Sequence, residues 1–287
     1  MTESEPRDFT SDDRMAAHER FVAAQEHSGS DYTSITGEYV NDRLVLGCLD
    51  EGLDVPGGEE VLDGIEAFIA RHIAGLLGEA TERPVIAQDI GGGVGVSWLK
   101  LSAYFAEPIA AGRLALVVSN LTEGPERYLQ RNYPRWYLTQ NAWQRIYDLY
   151  ETYGDRVHYI EDDFMPTANP AVALPNGREL ALRCHTDLAH EHLSLTNWSK
   201  IPEIHILEVG RRLSRRGIYL TDRTTTRYGF DKDTEDEARL RGIIAARQAL
   251  EKVYGLQKVT AVEAGSFAGE MLARLIFKGS EAPPITV

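Results

Sequence analysis

Three short stretches hold residues whose types and spacing bear on chemistry. The first, Val85-Ile86-Ala87-Gln88-Asp89-Ile90-Gly91-Gly92-Gly93-Val94-Gly95-Val96-Ser97, is a buried-strand pattern that ends in an acid and passes through glycines into a helix. Glycines let the backbone turn tightly and approach a ligand, and a helix start leaves N–H groups without intrahelical partners. The second, Ile160-Glu161-Asp162-Asp163-Phe164, closes another apolar run with carboxylates able to accept hydrogen bonds. The third, Cys184-His185-Thr186-Asp187-Leu188-Ala189-His190-Glu191-His192, puts three histidines and two acids within eight residues. Such a set suits proton transfer or metal ligation.

Spacing narrows the ligands. A dinucleotide loop needs its third glycine three positions after the second, but Gly91 and Gly93 are followed by Val96, and Gly93 and Gly95 by Trp98. A phosphate loop ends in Gly-Lys-Ser/Thr, which is absent here. The histidine-rich stretch matches no H-E-x-x-H signature, and on a helix His185 and His192 share a face while His190 points elsewhere, so no metal ligands are assigned. A metal-dependent hydrolase built on these histidines stays open as a rival reading.

These stretches must be held by strands and helices. Strands are expected at Val85 to Asp89, Leu114 to Val118, Val157 to Ile160, Leu180 to Cys184 and Gly217 to Thr221, with a last pair at Lys258 to Glu263 and Met271 to Phe277. Helices are expected at Val96 to Phe105, Thr139 to Tyr153, Pro202 to Ser214 and Thr234 to Tyr254. Alternation of the two kinds implies parallel strands joined by crossovers. Only the last connection, 264–270, is too short for one, so the final pair is expected to be antiparallel. Upstream, the spacing predicts a helix from Asp12 to about His27 and an amphipathic helix from about Glu59 to Leu77.

Composition bounds the rest. The 287 residues are 43% apolar, enough for a sizeable core, and no apolar run approaches the ~20 residues that cross a bilayer. A net charge of −14 repels phosphate backbones and argues against nucleic acid. Two cysteines cannot form a disulfide framework. Residues 1–13 carry no basic patch followed by an apolar stretch, so a cytoplasmic location is expected.

The pattern that fits the glycine stretch is acid-x-Gly-x-Gly-x-Gly, Asp89 to Gly95, and here the chain resembles the class I S-adenosylmethionine-dependent methyltransferases. The likeness runs from about Pro84 to Lys278. It implies an α/β fold: a three-layer, Rossmann-like sheet of seven strands, mostly parallel, with one antiparallel strand near the C-terminus. Residues 1–80 are then expected to form an N-terminal helical cap or lid and 81–287 the cofactor-binding domain.

The resemblance also implies roles. Asp89 orients the methionine part of S-adenosylmethionine, and Gly91, Gly93 and Gly95 line its path. The second strand of the family ends in an acid that takes the ribose hydroxyls. Here it ends in Ser119-Asn120, with Asn120 the stand-in and Glu123 a further candidate. Asp163, with Asp162 as alternative and Phe164 beside them, matches the segment that receives the adenine amino group. The stretch after the expected fourth strand supplies the active centre, with His185 first as general base, then Asp187 or His190. An aromatic insert, Leu121 to Arg156, carries Tyr128, Tyr133, Trp136 and Tyr137, and Arg131 and Arg135 could receive an acidic substrate group. Within it, Trp143, Tyr147, Tyr150 and Tyr153 at helical steps read first as a face packed on the sheet.

The function implied is methyl transfer to a small organic molecule, at oxygen or nitrogen, with no nucleic-acid or membrane partner; a homodimer is compatible with it. A methyltransferase-fold protein without methyl transfer, serving as a binding or regulatory subunit or running other chemistry, is the alternative that the missing acid at Asn120 keeps in view.

Overall fold

Val85–Ile90 (β3) is buried along its whole length, as a strand covered on both faces must be. The computed structural model describes residues 53–56, 61–62, 64–79, 83–121, 124–125, 140–175, 177–192, 194–199, 201–222, 234–263, 273–283 and 285. The expected helix at 12–27, Glu123, Arg131, Arg135 and the first four rings of the insert lie outside them. Among the described residues, no helix is long and apolar enough to cross a membrane.

A short hairpin, Leu53–Asp54 (β1) with Val61–Leu62 (β2), precedes helix Gly64–Gly78 (α1). This corrects the expected helix start near Glu59: Val61 and Leu62 pair as strand with Asp54 and Leu53, and the helix begins at Gly64. After β3 come Val96–Tyr104 (α2), Ala106–Ala110 (α3), Leu114–Asn120 (β4), Gln140–Tyr153 (α4) and Val157–Glu161 (β5). A second hairpin, Ala171–Ala173 (β6) with Glu179–Ala181 (β7), leads to Thr186–Glu191 (β8), Leu195–Trp198 (α5) and Pro202–Arg212 (α6). Leu213–Asp222 (β9), Thr234–Val253 (α7), Gln257–Glu263 (β10) and Ala273–Lys278 (β11) complete the order.

Seven strands form one sheet in the order β10-β11-β9-β8-β3-β4-β5. The pairs β3·β4, β3·β8, β4·β5 and β8·β9 are parallel, while β11 runs antiparallel to both β9 and β10. The one reversed strand near the C-terminus is therefore present, and its short connection from β10 is the reason.

The fourth strand of the sheet lies elsewhere than expected. Leu180 and Ala181 belong to the outlying β6–β7 hairpin, where Leu180 pairs with Val172. Cys184 then turns with a φ of 61°, and Thr186–Glu191 enters the sheet instead. Its acids and histidine do not look like a central strand. They are tolerated there because each meets a partner on a neighbouring element, which removes the penalty of burying polar groups.

One face of the sheet packs on α1, α2 and α4: Ile65, Ile69, Ile73, Trp98 and Ile146 meet Val85, Leu116, Leu188 and Ile218 in one apolar cluster. Helix α1, which the expected boundary assigns to the cap, thus shares the main core. On the opposite face Ile206 and Val209 of α6, with Ile243 and Leu250 of α7, cover Ala189, Tyr219 and Phe277. The β6–β7 hairpin covers Ile86 and Val117 through Val172, with Leu182 beside it. On α4 the inward positions are Ile146, Leu149, Tyr150 and Tyr153, whereas Tyr147 is exposed, so the packed face is turned from the expected one.

Candidate cofactor site at the carboxyl edge of the sheet

The ends of β3, β4, β5 and β8 converge at one edge, the place where open α/β sheets take ligands. Gly91, Gly93 and Gly95 all have φ between 60 and 71°, a region that side chains with a Cβ enter only at a cost. Space is closed at three positions of the loop as well. A Cβ on Gly91 would lie 2.7 Å from Ser194 Cβ, one on Gly92 2.2 Å from Asp89 Oδ2, and one on Gly95 2.5 Å from Val118 Cγ2. The Asp89 carboxylate therefore lies directly against the loop.

The loop is braced from behind. Gly91 N–H donates to Ser119 O at 2.8 Å, and Tyr159 OH donates to Val94 O at 2.8 Å. Asn120 makes two bonds to a single residue: its Oδ1 accepts from Gly93 N–H at 2.7 Å and its Nδ2 donates to Gly93 O at 2.9 Å. Asn120 is almost fully buried, so the side chain suggested for the ribose hydroxyls is engaged in holding the loop. Ser119 is turned to the other side, where its Oγ accepts from Gln88 Nε2 at 2.6 Å.

Gly95→Ala is expected to destabilise the chain by about 2–3 kcal/mol, from backbone strain plus the Val118 overlap. Gly177, with φ 78° and nothing within 4 Å of a Cβ, provides the comparison, because Gly177→Ala carries the strain alone. Denaturant titration of both variants checks this: equal losses would show that Val118 does not constrain the loop.

Beyond β5, Asp162 and Asp163 part company. Asp162 is buried and holds Arg212 through both carboxylate oxygens, Oδ1 at 3.0 Å and Oδ2 in a shorter contact. Burial pushes its carboxyl above the ordinary value, against the pull of Arg212. Burial would lower the Arg212 guanidinium, but its bonds to Asp162 and to Glu208 hold it above the ordinary value. Asp163 is half-buried, with Oδ1 accepting from Met165 N–H at 3.0 Å. Phe164 follows at a φ of 53°, and the Arg212 guanidinium lies 4.2 Å above its ring.

The histidine-rich stretch is split along β8. Because the strand begins at Thr186, His185 lies before it, at the opposite end of the sheet from the glycine loop, with Nδ1 2.9 Å from Ala181 O. Asp187 is also at that end. It receives Arg83 through two bonds of 2.7 Å, Ser214 Oγ at 2.7 Å, Arg216 Nε at 3.0 Å and Ile86 N–H at 3.1 Å. Burial would raise its carboxyl, but Arg83, Ser214 and the Ile86 N–H together hold it below the ordinary range. Both assignments to the active centre are corrected by this register: Asp187, level with Ile86, is an ion-pair anchor roughly 16 Å from the loop, five residues along a strand.

His190 alone of the three proton-transfer candidates reaches the loop end. It pairs in register with Asp89, its Nδ1 3.0 Å from Asp89 Oδ1, and its ring stacks on Trp98. His192 forms a second pair one step further out, Nδ1 to Asp222 Oδ1 at 3.0 Å. Between them Glu191 points to the other face and accepts from Tyr219 OH at 2.6 Å and Thr221 Oγ1. Among the described residues, no group of three or more histidines, cysteines or carboxylates is arranged to hold a metal ion.

Arg83, Arg212, Trp98 and Tyr159 escape the sequence reading although each fixes a residue of interest. No motif marks them, since their partners are distant in sequence; Arg212 in particular stands in the run Arg211-Arg212-Leu213-Ser214-Arg215-Arg216, which reads as exposed charge.

No protein-family model matches the sequence, and no curated protein does. Among solved structures the chain is similar to the 1,6-didemethyltoxoflavin-N1-methyltransferase of Burkholderia thailandensis, at 14% identity and a TM-score of 0.41, over 96% of this chain and 94% of that one. It is similar to a geranyl diphosphate methyltransferase at 14% identity and a TM-score of 0.42, over 88% and 98%. A third likeness is to a putative sarcosine dimethylglycine methyltransferase from Galdieria sulphuraria, at 15% identity and a TM-score of 0.40, over 79% and 76%. The fold assignment itself rests on this chain's strand order. Seven strands, a single reversed strand near the C-terminus and the glycine loop after β3 make the mostly parallel, Rossmann-like sheet that the sequence leads one to expect.

Proposed function

We propose that this chain is a cytoplasmic S-adenosylmethionine-dependent methyltransferase acting on a small organic molecule at oxygen or nitrogen. The observation that carries the reading is the glycine loop: three left-handed glycines between β3 and α2, with the Asp89 carboxylate against Gly92. The fit to the cofactor is one of donor chemistry. Asp89 suits an ammonium group, the loop backbone allows close approach, and the half-buried Asp163 at the β5 end suits an adenine amino group, whereas Phe164 is buried under Arg212 and is left out of the expected adenine contact. Ser119, Asn120 and Asp162 act from behind, holding the loop and the β5 end in place.

The cofactor would supply a methyl group on a sulfonium, already activated for displacement. What the chain adds is alignment: a rigid loop and strand ends that present the acceptor in line, which can contribute much of the rate. A small substrate suits a chain whose charge of −14 disfavours polyanions. The part of the expected cap that precedes the core helix α1, together with the aromatic insert, would then set substrate choice, as loops on a fixed scaffold commonly do.

One observation favours a second reading, a fold that binds without transferring methyl groups: the acid for the ribose is absent, and Asn120 is bonded to Gly93. Mass spectrometry separates the two. With methyl-deuterated cofactor and a panel of phenols, alcohols and primary amines, the enzyme reading expects a deuterated methyl group on oxygen or nitrogen. An unconsumed cofactor that nevertheless binds supports the second reading, and a product of different mass shows other chemistry.

A further inference from the structure

At the seam between β3 and β8, His190 and Asp89 stand in register. An ionised carboxylate can only accept a hydrogen bond, so the 3.0 Å contact makes Nδ1 of His190 the donor, and in the neutral imidazole the lone pair is then on Nε2. Trp98 fixes the ring plane, stacked at 5.6 Å between centroids with 19° between planes, and is itself pinned by Nε1 donating to Ala87 O at 3.0 Å. His190 is 4% exposed, and among the described residues its Nε2 has no hydrogen-bond partner. Leaving a buried polar atom unsatisfied is unfavourable, because the water it gave up is not replaced. The chain carries that cost at the carboxyl edge, beside the glycine loop, on a ring whose tautomer and plane are both set.

We propose that Nε2 of His190 accepts the proton of the methyl acceptor, with Asp89 as the residue that positions the imidazole, and that the acceptor therefore carries an O–H or N–H bond rather than a reacting carbon. The proposal rests on the methyltransferase reading above. As the acceptor's oxygen or nitrogen bonds to the methyl carbon, the carbon–sulfur bond breaks and its electron pair stays on sulfur. The acceptor's proton passes to Nε2. The resulting imidazolium is stabilised by the Asp89 carboxylate until it releases the proton to water. One carboxylate thus faces the glycine loop and orients the base.

The test uses the full chain, with His190→Gln and His190→Ala, in the same labelled-methyl assay against phenols, alcohols, primary amines and a 1,3-diketone as carbon acceptor. Calorimetry with S-adenosylhomocysteine is run on every variant. The expected result is transfer to an O–H or N–H acceptor, turnover slowed at least about 100-fold in His190→Gln, and partial recovery of His190→Ala by added imidazole. S-adenosylhomocysteine affinity should stay within about tenfold, which separates a lost base from a lost fold. An unchanged turnover rate in His190→Gln, or transfer confined to the diketone or to none of the acceptors, overturns the proposal. Wild-type protein that fails to bind S-adenosylhomocysteine instead overturns the methyltransferase reading.

Discussion

Arg212→Met is expected to lower stability by about 3–5 kcal/mol, the cost of removing one partner of a buried ion pair. Arg212 is 1% exposed and ties the end of β5 to α6. It bonds both oxygens of Asp162, donates from Nε to Glu208 Oε1 at 2.9 Å and covers the Phe164 ring. Methionine fills the volume but leaves Asp162 buried without its cation. Burial already pushes the Asp162 carboxyl up, and Arg212 is the main opposing influence, so in the variant it rises further. A group whose folded pKa exceeds its unfolded value loses stability as pH increases through the folded value. The cost is therefore largest at neutral pH and shrinks on acidification. Denaturant titration at two pH values checks both statements, and Arg212→Met/Asp162→Leu should recover part of the loss. A loss below ~1 kcal/mol, typical of exposed pairs, would mean that the contact is not buried in solution.

Asn120→Asp is expected to weaken the protein even though it installs the very acid that the family resemblance asks for at the end of the second strand. The carboxylate can still accept from Gly93 N–H, but it has no proton for Gly93 O, 2.9 Å from the present Nδ2. Two acceptors would then face each other in a buried site, at about 1–3 kcal/mol for the unsatisfied carbonyl alone. The glycine loop shifts as a result, and S-adenosylhomocysteine affinity is expected to fall by tenfold or more, about 1.4 kcal/mol. Thermal unfolding and calorimetry on the variant decide this. A variant that is equally stable and binds more tightly would show that position 120 serves the ribose and not the loop.

How far the sequence discloses this architecture depends on where partners lie. β3, β4 and β9 announce themselves as apolar runs, and the glycines of the loop are legible because backbone geometry forces their identity. β8 is hidden. Asp187, His190 and Glu191 read as a polar post-strand segment, yet each is compensated by Arg83, Asp89 or Tyr219 from elements 28 or more residues away. The same shift in register moves His185 and Asp187 to the far end of the sheet and leaves His190 at the loop. Asn120 is legible as a departure from the family pattern but not as a clamp, because its partner Gly93 is brought to it only by the pairing of β3 with β4. On α4, the aromatic spacing suggests a face through Tyr147, and Ile146 and Leu149 win the inward positions.

The central claim is that the loop from Gly91 to Gly95 receives the methionine end of S-adenosylmethionine. Isothermal titration of the full chain with S-adenosylhomocysteine, beside NAD as control, tests it most directly. The account predicts saturable one-site binding of the nucleoside thioether, lost or strongly weakened in Gly95→Ala, and no heat with NAD. Heat with the dinucleotide and none with S-adenosylhomocysteine would contradict it.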